Sequence, residues 1–204
     1  MERNTKVILI FFIAIAVLVA IMYFSTIKTS DNRKVNDVAN ISNGFFDARG
    51  NGSIKIIEFS DFQCPVCKLN EPIIKEVIEK YGNDISFYYR NFPLPSHKNS
   101  FLASLAASCV NEQDKFWEYH DLLFKNQGNF DKESLKNYAL QLGLNEEQFN
   151  SCLNEEKYKN EVEQDFNEGK KAGVKGTPTF FINNKRYEGF QSLESLKGII
   201  EENA

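Results

Sequence analysis

Hydrophobic residues follow three different patterns along this chain, and each pattern predicts a different kind of structure. Residues 7–24 are apolar and carry no charged side chain, a run close to the ~20 residues with which a helix spans a bilayer. Residues 25–43 are polar, mixed in charge and without a sustained period, which is typical of a tether. From residue 44 to residue 204, alternating and helical runs follow one another, and this predicts a folded α/β domain.

The apolar run predicts a membrane anchor that holds the domain outside the cytoplasm. Arg3 and Lys6 precede the run and favour a cytoplasmic position for the short tail, although Lys28 and Arg33 on the far side weaken this bias. We therefore expect residues 1–24 to form a cytoplasmic tail and transmembrane anchor in contact with the lipid bilayer. The alternative is a cleaved signal peptide, but nothing after the run resembles a clean cleavage site. In both cases the domain is exported.

Two predicted strands, over residues 54–59 and 85–90, open the domain. Alternation in the first of them places Ile54, Ile56 and Glu58 on one face. A carboxyl group that shares a face with two isoleucines is predicted to be buried, with a raised pKa, and able to accept the proton of a nearby thiol. The alternative is an ordinary acid at the end of a strand that reaches solvent.

A helix is predicted between these strands, over residues 65–81, and Gly82 ends it. Pro72 lies inside this helix, removes one backbone hydrogen bond and predicts a kink. The predicted apolar side of the helix consists of Leu69, Ile73, Val77 and Ile78.

From residue 96 to about residue 171 the pattern is helical only, which predicts a helical subdomain inserted into the α/β domain. Its aromatic residues are expected in a core, and His120, which stands among them, is expected to be a packing residue. A strand, a turn and a returning strand over residues 179–188 and a final helix over residues 192–201 complete the domain.

The candidate chemistry lies where the first strand meets the helix, because residues 62–67 read FQCPVC. Cys64 at the helix N-terminus meets free N–H groups and the positive end of the dipole, which should lower its pKa below the ~8.5 of a free cysteine. Cys67 follows one turn later on the same face, close enough for a disulfide. We expect Cys64 to be the exposed attacking sulfur and Cys67 the buried resolving sulfur, with Pro65 in the first turn.

The other two of the four cysteines, Cys109 and Cys152, lie in separate helical segments. They predict either a second disulfide between two helices or two small buried apolar residues. An exported domain favours the disulfide, since disulfides persist outside the cytoplasm.

Composition excludes several other classes of function. A net charge of −4 over 204 residues argues against nucleic acid as a partner, and no glycine-rich phosphate loop is present. The Cys64/Cys67 pair supplies two of the four ligands that structural zinc needs, and the only histidines are His97 and His120. His97 is expected either near the cysteines or on the surface. We expect neither a cofactor nor a metal, since the two sulfurs carry the electrons.

A second informative stretch, Gly-Thr-Pro-Thr at residues 176–179, precedes the third predicted strand. Proline at the start of a strand is unusual because it cannot donate a hydrogen bond to the ladder. A cis bond between Thr177 and Pro178 would account for it.

Over about residues 44–204 the chain resembles the DsbA-like thioredoxin-fold thiol-disulfide oxidoreductases. The resemblance rests on Glu58, residues 62–67, Pro72, Phe116-Trp117 and residues 176–179. It implies a central β-sheet flanked by helices with a helical insertion, Cys64 as nucleophile, Cys67 as resolving cysteine, and the Thr177–Pro178 loop facing the pair. Val66 is a departure, since the best-known strong oxidases carry histidine there. Valine gives a thiolate neither charge nor a hydrogen bond, so the disulfide is expected to be less oxidising.

These features predict an extracytoplasmic dithiol oxidase that introduces disulfides into exported proteins. Its partners would be exported proteins bearing thiols or disulfides and a membrane redox partner that recycles the cysteine pair. Three alternatives stay open: a reductase or isomerase of the same fold, a metal-binding or delivery module, and a purely structural disulfide domain. A reduction potential near thioredoxin's ~−270 mV favours reduction, and one near DsbA's ~−120 mV favours oxidation.

Overall fold

The computed structural model of the protein describes residues 15, 17–19, 22, 44–183 and 185–203. Within these ranges, no helix combines the length and the apolar character needed to cross a membrane. Apart from five helical residues of the apolar run, the predicted anchor and the linker at residues 25–43 lie outside the described residues.

Strands and helices of the domain follow the order that the sequence pattern predicts. Among the described residues the elements are β1 (Ile54–Ser60), α1 (Pro65–Tyr81), β2 (Ile85–Asn91), α2 (Ser100–Val110), a 3₁₀ turn (Asn111–Gln113), α3 (Phe116–Lys125), α4 (Lys132–Gln141), α5 (Glu146–Asn154), α6 (Lys159–Lys171), β3 (Thr179–Ile182), β4 (Lys185–Glu188) and α7 (Leu193–Asn203). The predicted final helix and the predicted insertion are both present, within a few residues of the expected bounds.

The four strands form one sheet in the order β2-β1-β3-β4. β1 runs parallel to β2 and antiparallel to β3, and β4 returns antiparallel to β3. A parallel pair needs a crossover, which α1 supplies, whereas a tight turn connects the antiparallel pair β3 and β4. The result is the α/β thioredoxin fold, with helices α2 to α6 inserted between β2 and β3.

β1 is the central strand and is covered on both faces. Ile54 and Ile56 pack with residues of α1 and α7, whereas Ile57 and Phe59 pack with Phe92 and the residues that follow α6. The alternation predicted for this strand is therefore correct, and it aims the Glu58 side chain towards the face that α1 covers.

The inserted helices have a core of their own, which is continuous with the residues around Cys64 and Cys67. Cys109 of α2 and Cys152 of α5 are joined by a disulfide across 43 residues of sequence. This bond fastens two helices of the insertion to each other and does not involve the Cys64/Cys67 pair, whose thiols are both free.

Helix α1 buries Val77 and packs Ile73 and Ile78 against the core as predicted, but the prediction for Leu69 is wrong. Leu69 is 63 % exposed, while Asn70 and Glu71 are buried beside Cys67. Asn70 is accommodated because its side-chain amide donates to the Gln191 carbonyl oxygen at 2.8 Å and its oxygen accepts from the Gln191 N–H at 3.0 Å. The helix continues through Pro72 without ending.

A glycine inside α6 allows this helix to approach the sheet closely. A methyl group on Gly169 would lie 2.8 Å from the Phe92 ring and 2.9 Å from the Phe59 ring. Alanine would improve helix propensity by ~1 kcal/mol, but overpacking of a core typically costs about 1–3 kcal/mol. We expect Gly169→Ala to lower the free energy of unfolding by about 1 kcal/mol, as measured by urea denaturation.

The matched control is Gly198→Ala in α7, where nothing lies within 4 Å of the added methyl group. This substitution should raise the free energy of unfolding by up to ~1 kcal/mol, because only the helix propensity changes. If both variants gained stability, the close approach of α6 to the sheet would be wrong.

Candidate active site

The loop between β1 and α1 places Cys64 at the tip of the helix. The Cys64 N–H donates to the Asp61 carbonyl oxygen at 2.9 Å, which closes a tight turn directly after the strand. Cys64 has extended backbone angles (φ −74°, ψ 120°), and Pro65 is the first residue of α1. Proline suits this position because its missing N–H would have no partner in the first turn.

A buried carboxylate, Asp61, holds this loop in place. One of its oxygens accepts hydrogen bonds from the Gln63 N–H and the Ser100 hydroxyl. The other accepts from the Leu94 N–H at 2.8 Å and contacts the His97 ring nitrogen Nδ1 at 2.7 Å. His97 therefore lies on the active-site loop, bound to a residue three positions before Cys64, and is half-buried.

A second support of the loop comes from the insertion. The side-chain amide of Gln127, which follows α3, donates to the carbonyl oxygens of Phe62 at 2.8 Å and of Cys64 at 2.9 Å. Sequence reasoning identified neither Asp61 nor Gln127, because their partners lie far away along the chain.

The structure brings Cys64 and the Thr177–Pro178 loop together across 113 residues of sequence. The peptide bond between Thr177 and Pro178 is cis. The Cys64 thiol donates to the Thr177 carbonyl oxygen at a sulfur–oxygen distance of 3.3 Å. The expectation of an exposed Cys64 is wrong in degree, since the residue is only 5 % exposed. The sulfur contacts the Thr177 carbonyl oxygen on the neighbouring loop.

The two cysteines are electrostatically unlike. The pKa of Cys64 is lowered to about 5, chiefly by a hydrogen bond from the Cys67 thiol and further by the N–H groups of Cys67 and Val66, against the opposing effect of burial. Burial raises the pKa of Cys67 well above its usual value, and the charge of Glu58 adds to this. Near neutral pH the pair therefore carries its negative charge on Cys64 and its proton on Cys67.

Glu58 is buried behind this pair, with 3 % of its surface exposed. In the sheet it stands between Tyr89 of β2 and Phe180 of β3. Burial raises its pKa to about 8, with the Ser60 hydroxyl opposing and the charges of Glu71 and Cys64 adding to the shift. A carboxyl group with this pKa can exchange a proton near neutral pH.

Comparison with known proteins agrees with this geometry. A family model described as thioredoxin matches residues 49–202. The chain belongs to the thioredoxin family. Among solved structures, the thiol-disulfide exchange protein alpha-DsbA2 from Wolbachia pipientis superposes with a TM-score of 0.73 at 23 % identity, covering 86 % of this chain and 98 % of that one. Oxidised BdbD from Bacillus subtilis superposes with a TM-score of 0.70 at 27 % identity, covering 78 % and 92 %.

Curated relatives of this thioredoxin-family chain include a much longer protein. The Na⁺/H⁺ antiporter NhaA 1 from Salinispora arenicola is 32 % identical over 148 residues, which are 72 % of this chain. The chain spans 22 % of the length of that relative. The family match and the two superpositions agree with the fold described above, and one of the superposed structures is described as a thiol-disulfide exchange protein.

Near the cysteine pair of this thioredoxin-family chain, five aromatic side chains surround the ring of His120. The rings of Phe62, Tyr89, Phe116, Trp117 and Phe124 all lie with centroids 5.0–5.7 Å from the His120 ring. His120 is thus a buried packing residue, as predicted. Its ring also lies close to the carboxylates of Glu71 and Asp121, the one group in the described ranges that could hold a metal ion.

The raised pKa of Glu58 predicts a pH-dependent cost to stability. Between pH 4.5 and about 8 the folded protein keeps a proton on Glu58 that the unfolded chain releases, so stability falls as pH rises through this window. Glu58→Gln has no such proton. We expect the variant to be more stable than the parent by a margin that grows from pH 4.5 to pH 8.

The margin is measured from melting temperatures of the oxidised proteins, in which Cys64 and Cys67 do not titrate. About 1 kcal/mol corresponds to roughly 2–4 °C in a domain of this size. A margin that stays constant or shrinks as pH rises would show that Glu58 is ionised in the fold like an ordinary surface acid.

Proposed function

We propose that the protein is an extracytoplasmic dithiol oxidase that uses Cys64 and Cys67 to introduce disulfides into exported proteins. The observation that carries this proposal is the pKa of Cys64, lowered to about 5. This value lies between the ~7 of thioredoxin and the ~3.5 of DsbA. A stabilised thiolate favours the reduced enzyme, and an enzyme that prefers its reduced form oxidises its substrates.

In the first step, a substrate thiolate attacks the Cys64 sulfur of the oxidised pair. The Cys64–Cys67 bond breaks, a mixed disulfide forms, and Cys67 leaves with the electron pair. Because Cys67 is buried and its pKa is raised, this sulfur must take up a proton at once. Glu58 is the proposed donor, since it is protonated below about pH 8.

In the second step, another thiolate of the substrate attacks the substrate sulfur of the mixed disulfide. The substrate disulfide leaves, and Cys64 departs as a thiolate that the Cys67 thiol and the N–H groups of α1 stabilise. The enzyme has then gained two electrons. A membrane redox partner must remove them to restore the Cys64–Cys67 bond.

The loop at Thr177 and Pro178 is proposed to position the substrate next to Cys64. Thr177 precedes β3, and its backbone is placed to receive an extended substrate segment as an added strand. Proline supplies no N–H group at this point, so the backbone of residue 178 does not compete with a substrate chain for the Cys64 sulfur.

An extracytoplasmic location is supported by two features. The disulfide between Cys109 and Cys152 is typical of oxidising compartments. The apolar, uncharged residues 7–24 have nearly the length of a membrane-spanning helix, and we propose that they anchor the domain through the linker at residues 25–43.

The test measures oxidation of a reduced, unfolded protein substrate by the parent and by Cys64→Ser. We expect the parent to form substrate disulfides in the presence of a small-molecule oxidant, and the variant to lose this activity. Gly198→Ala is a suitable control, because this residue lies on an exposed face of α7. Activity retained in Cys64→Ser would reject the assignment.

The direction of electron flow is decided by the equilibrium of Cys64/Cys67 with glutathione. An oxidase should have a potential well above the ~−270 mV of thioredoxin, towards the ~−120 mV of DsbA. A value at the thioredoxin end would make the protein a reductase of the same fold.

A further inference from the structure

Three side chains of types that bind metals lie close together between α1, the helix that carries the cysteine pair, and α3 of the insertion. Glu71 of α1 and His120 and Asp121 of α3 each offer one ligand atom, and these atoms all lie within 4.8 Å of one another. Glu71 and Asp121 also line a cavity of about 450 Å³ between the two helices. None of the three forms a bond or transfers a proton in the thiol chemistry proposed above, although the charge of Glu71 adds to the raised pKa of Glu58.

Two atoms of this cluster are buried without a hydrogen-bond partner in the described part of the chain: His120 Nε2 and Glu71 Oε1. His120 is only 1 % exposed. A buried polar atom left unpaired is costly, and in a native structure it calls for a bound water or ion. That two such atoms belong to one three-residue cluster points to a ligand that both of them bind.

The neighbouring Asp121 fixes which face His120 presents to this ligand. Asp121 Oδ1 lies 3.0 Å from His120 Nδ1 and accepts its proton. In a neutral imidazole whose proton is on Nδ1, the lone pair is on Nε2 and points away from Asp121. A carboxylate that accepts the second N–H of an imidazole is the usual support of a metal-binding histidine.

The distance between the two unpaired groups excludes a direct bond. Glu71 Oε2, the second oxygen of the carboxylate that carries the unpaired Oε1, lies 3.9 Å from His120 Nε2, beyond hydrogen-bond reach, and Oε1 has no hydrogen-bond partner. Two atoms that each lie ~2.1 Å from one zinc ion can be separated by up to ~4.2 Å, so the gap is within the range that a shared ion spans. Imidazole and carboxylate together suit zinc and its transition-metal neighbours.

We propose that His120 Nε2 and the Glu71 carboxylate bind a divalent transition-metal ion, with zinc as the probe, and that Asp121 orients the histidine. Water from the adjoining cavity completes the coordination. The ion would connect α3 to α1 one turn after Cys67, and so link the insertion to the active-site helix.

Basic side chains near the cluster affect how tightly it would bind a metal ion. Lys75 Nζ lies 2.9 Å from Asp121 Oδ2 and 3.9 Å from Glu71 Oε1, and Arg49 lies 3.0 Å from Asp121 Oδ1. Both carboxylate oxygens of Asp121 are thus paired with basic side chains, so Asp121 orients His120 and is not proposed as a metal ligand. Lys75 competes with a metal ion at Glu71, but its side chain is 40 % exposed and can move into solvent.

The experiment titrates zinc into the full-length chain by calorimetry, with Cys64 and Cys67 oxidised to a disulfide so that their thiolates cannot bind the metal. We expect one saturable site. Glu71→Gln should weaken binding by at least about tenfold, and Lys75→Met should tighten it because a competing charge is removed. Zinc should also raise the melting temperature of the parent and not that of Glu71→Gln.

The matched control is Glu118→Gln, which removes another carboxylate from the lining of the same cavity. Glu118 is paired with Lys115 at 2.8 Å and is not one of the three ligand residues, so its removal should leave zinc binding unchanged. X-ray absorption of the zinc-loaded parent should show imidazole nitrogen and oxygen neighbours and no sulfur.

The proposal is overturned if the oxidised parent binds no zinc, which would mean that a water fills the gap. It is equally overturned if Glu71→Gln binds as tightly as the parent, if Glu118→Gln weakens binding as much as Glu71→Gln does, or if sulfur appears in the zinc shell. These results are independent of the oxidase assay, so the metal site and the redox function can fail separately. His120→Gln is a second variant that should lose zinc binding. If His120→Gln does not fold, Glu71→Gln and Lys75→Met still test the proposed site.

Discussion

The hydrogen bonds that converge on the Cys64 sulfur are the interactions on which the rest of this structure depends. Burial alone would raise the pKa of this thiol and make it inert. The Cys67 thiol and the N–H groups at the start of α1 reverse that effect. They can do so only because β1 ends at Ser60 and the turn at Asp61 places Cys64 at the N-cap of the helix, directly before Pro65.

The inserted helices, like the sheet, hold the loop that carries Cys64 in position. Gln127 holds the carbonyl oxygens on both sides of Gln63, and the residues around the start of α2 bind the Asp61 carboxylate. Cys67 and Glu58 then lie behind the reactive sulfur, both with raised pKa values, so the negative charge stays at the helix tip. The thiolate is the attacking form of a cysteine in thiol-disulfide exchange, so this distribution of charge favours Cys64 over Cys67 as the reactive sulfur.

Features that depend on residues close together in the sequence could be predicted, and features that depend on residues far apart could not. The strand, the cysteine pair and the helix are contiguous, and alternation was enough to place Glu58 on the face of Ile54 and Ile56. The Asp61–His97 contact and the Gln127 contact to Cys64 join residues 36 and 63 positions apart, and no local pattern reports them.

The two incorrect predictions have the same origin. Cys64 was expected to be exposed because a helix tip usually is, but it is 5 % exposed and contacts the Thr177 loop, 113 residues further on. Leu69 was expected to be buried because it is apolar, but α1 turns Asn70 and Glu71 inwards instead. Asn70 bonds to Gln191, which a residue pattern within the helix cannot reveal.

The measurement that tests the central claim most directly is a pH titration of the Cys64 thiolate, followed by its ultraviolet absorbance in the reduced protein. The account predicts ionisation at about pH 5, a signal that disappears in Cys64→Ser and that is absent from the oxidised protein. A midpoint near the ~8.5 of a free cysteine would contradict it, because the sulfur would then gain nothing from the helix tip or from Cys67.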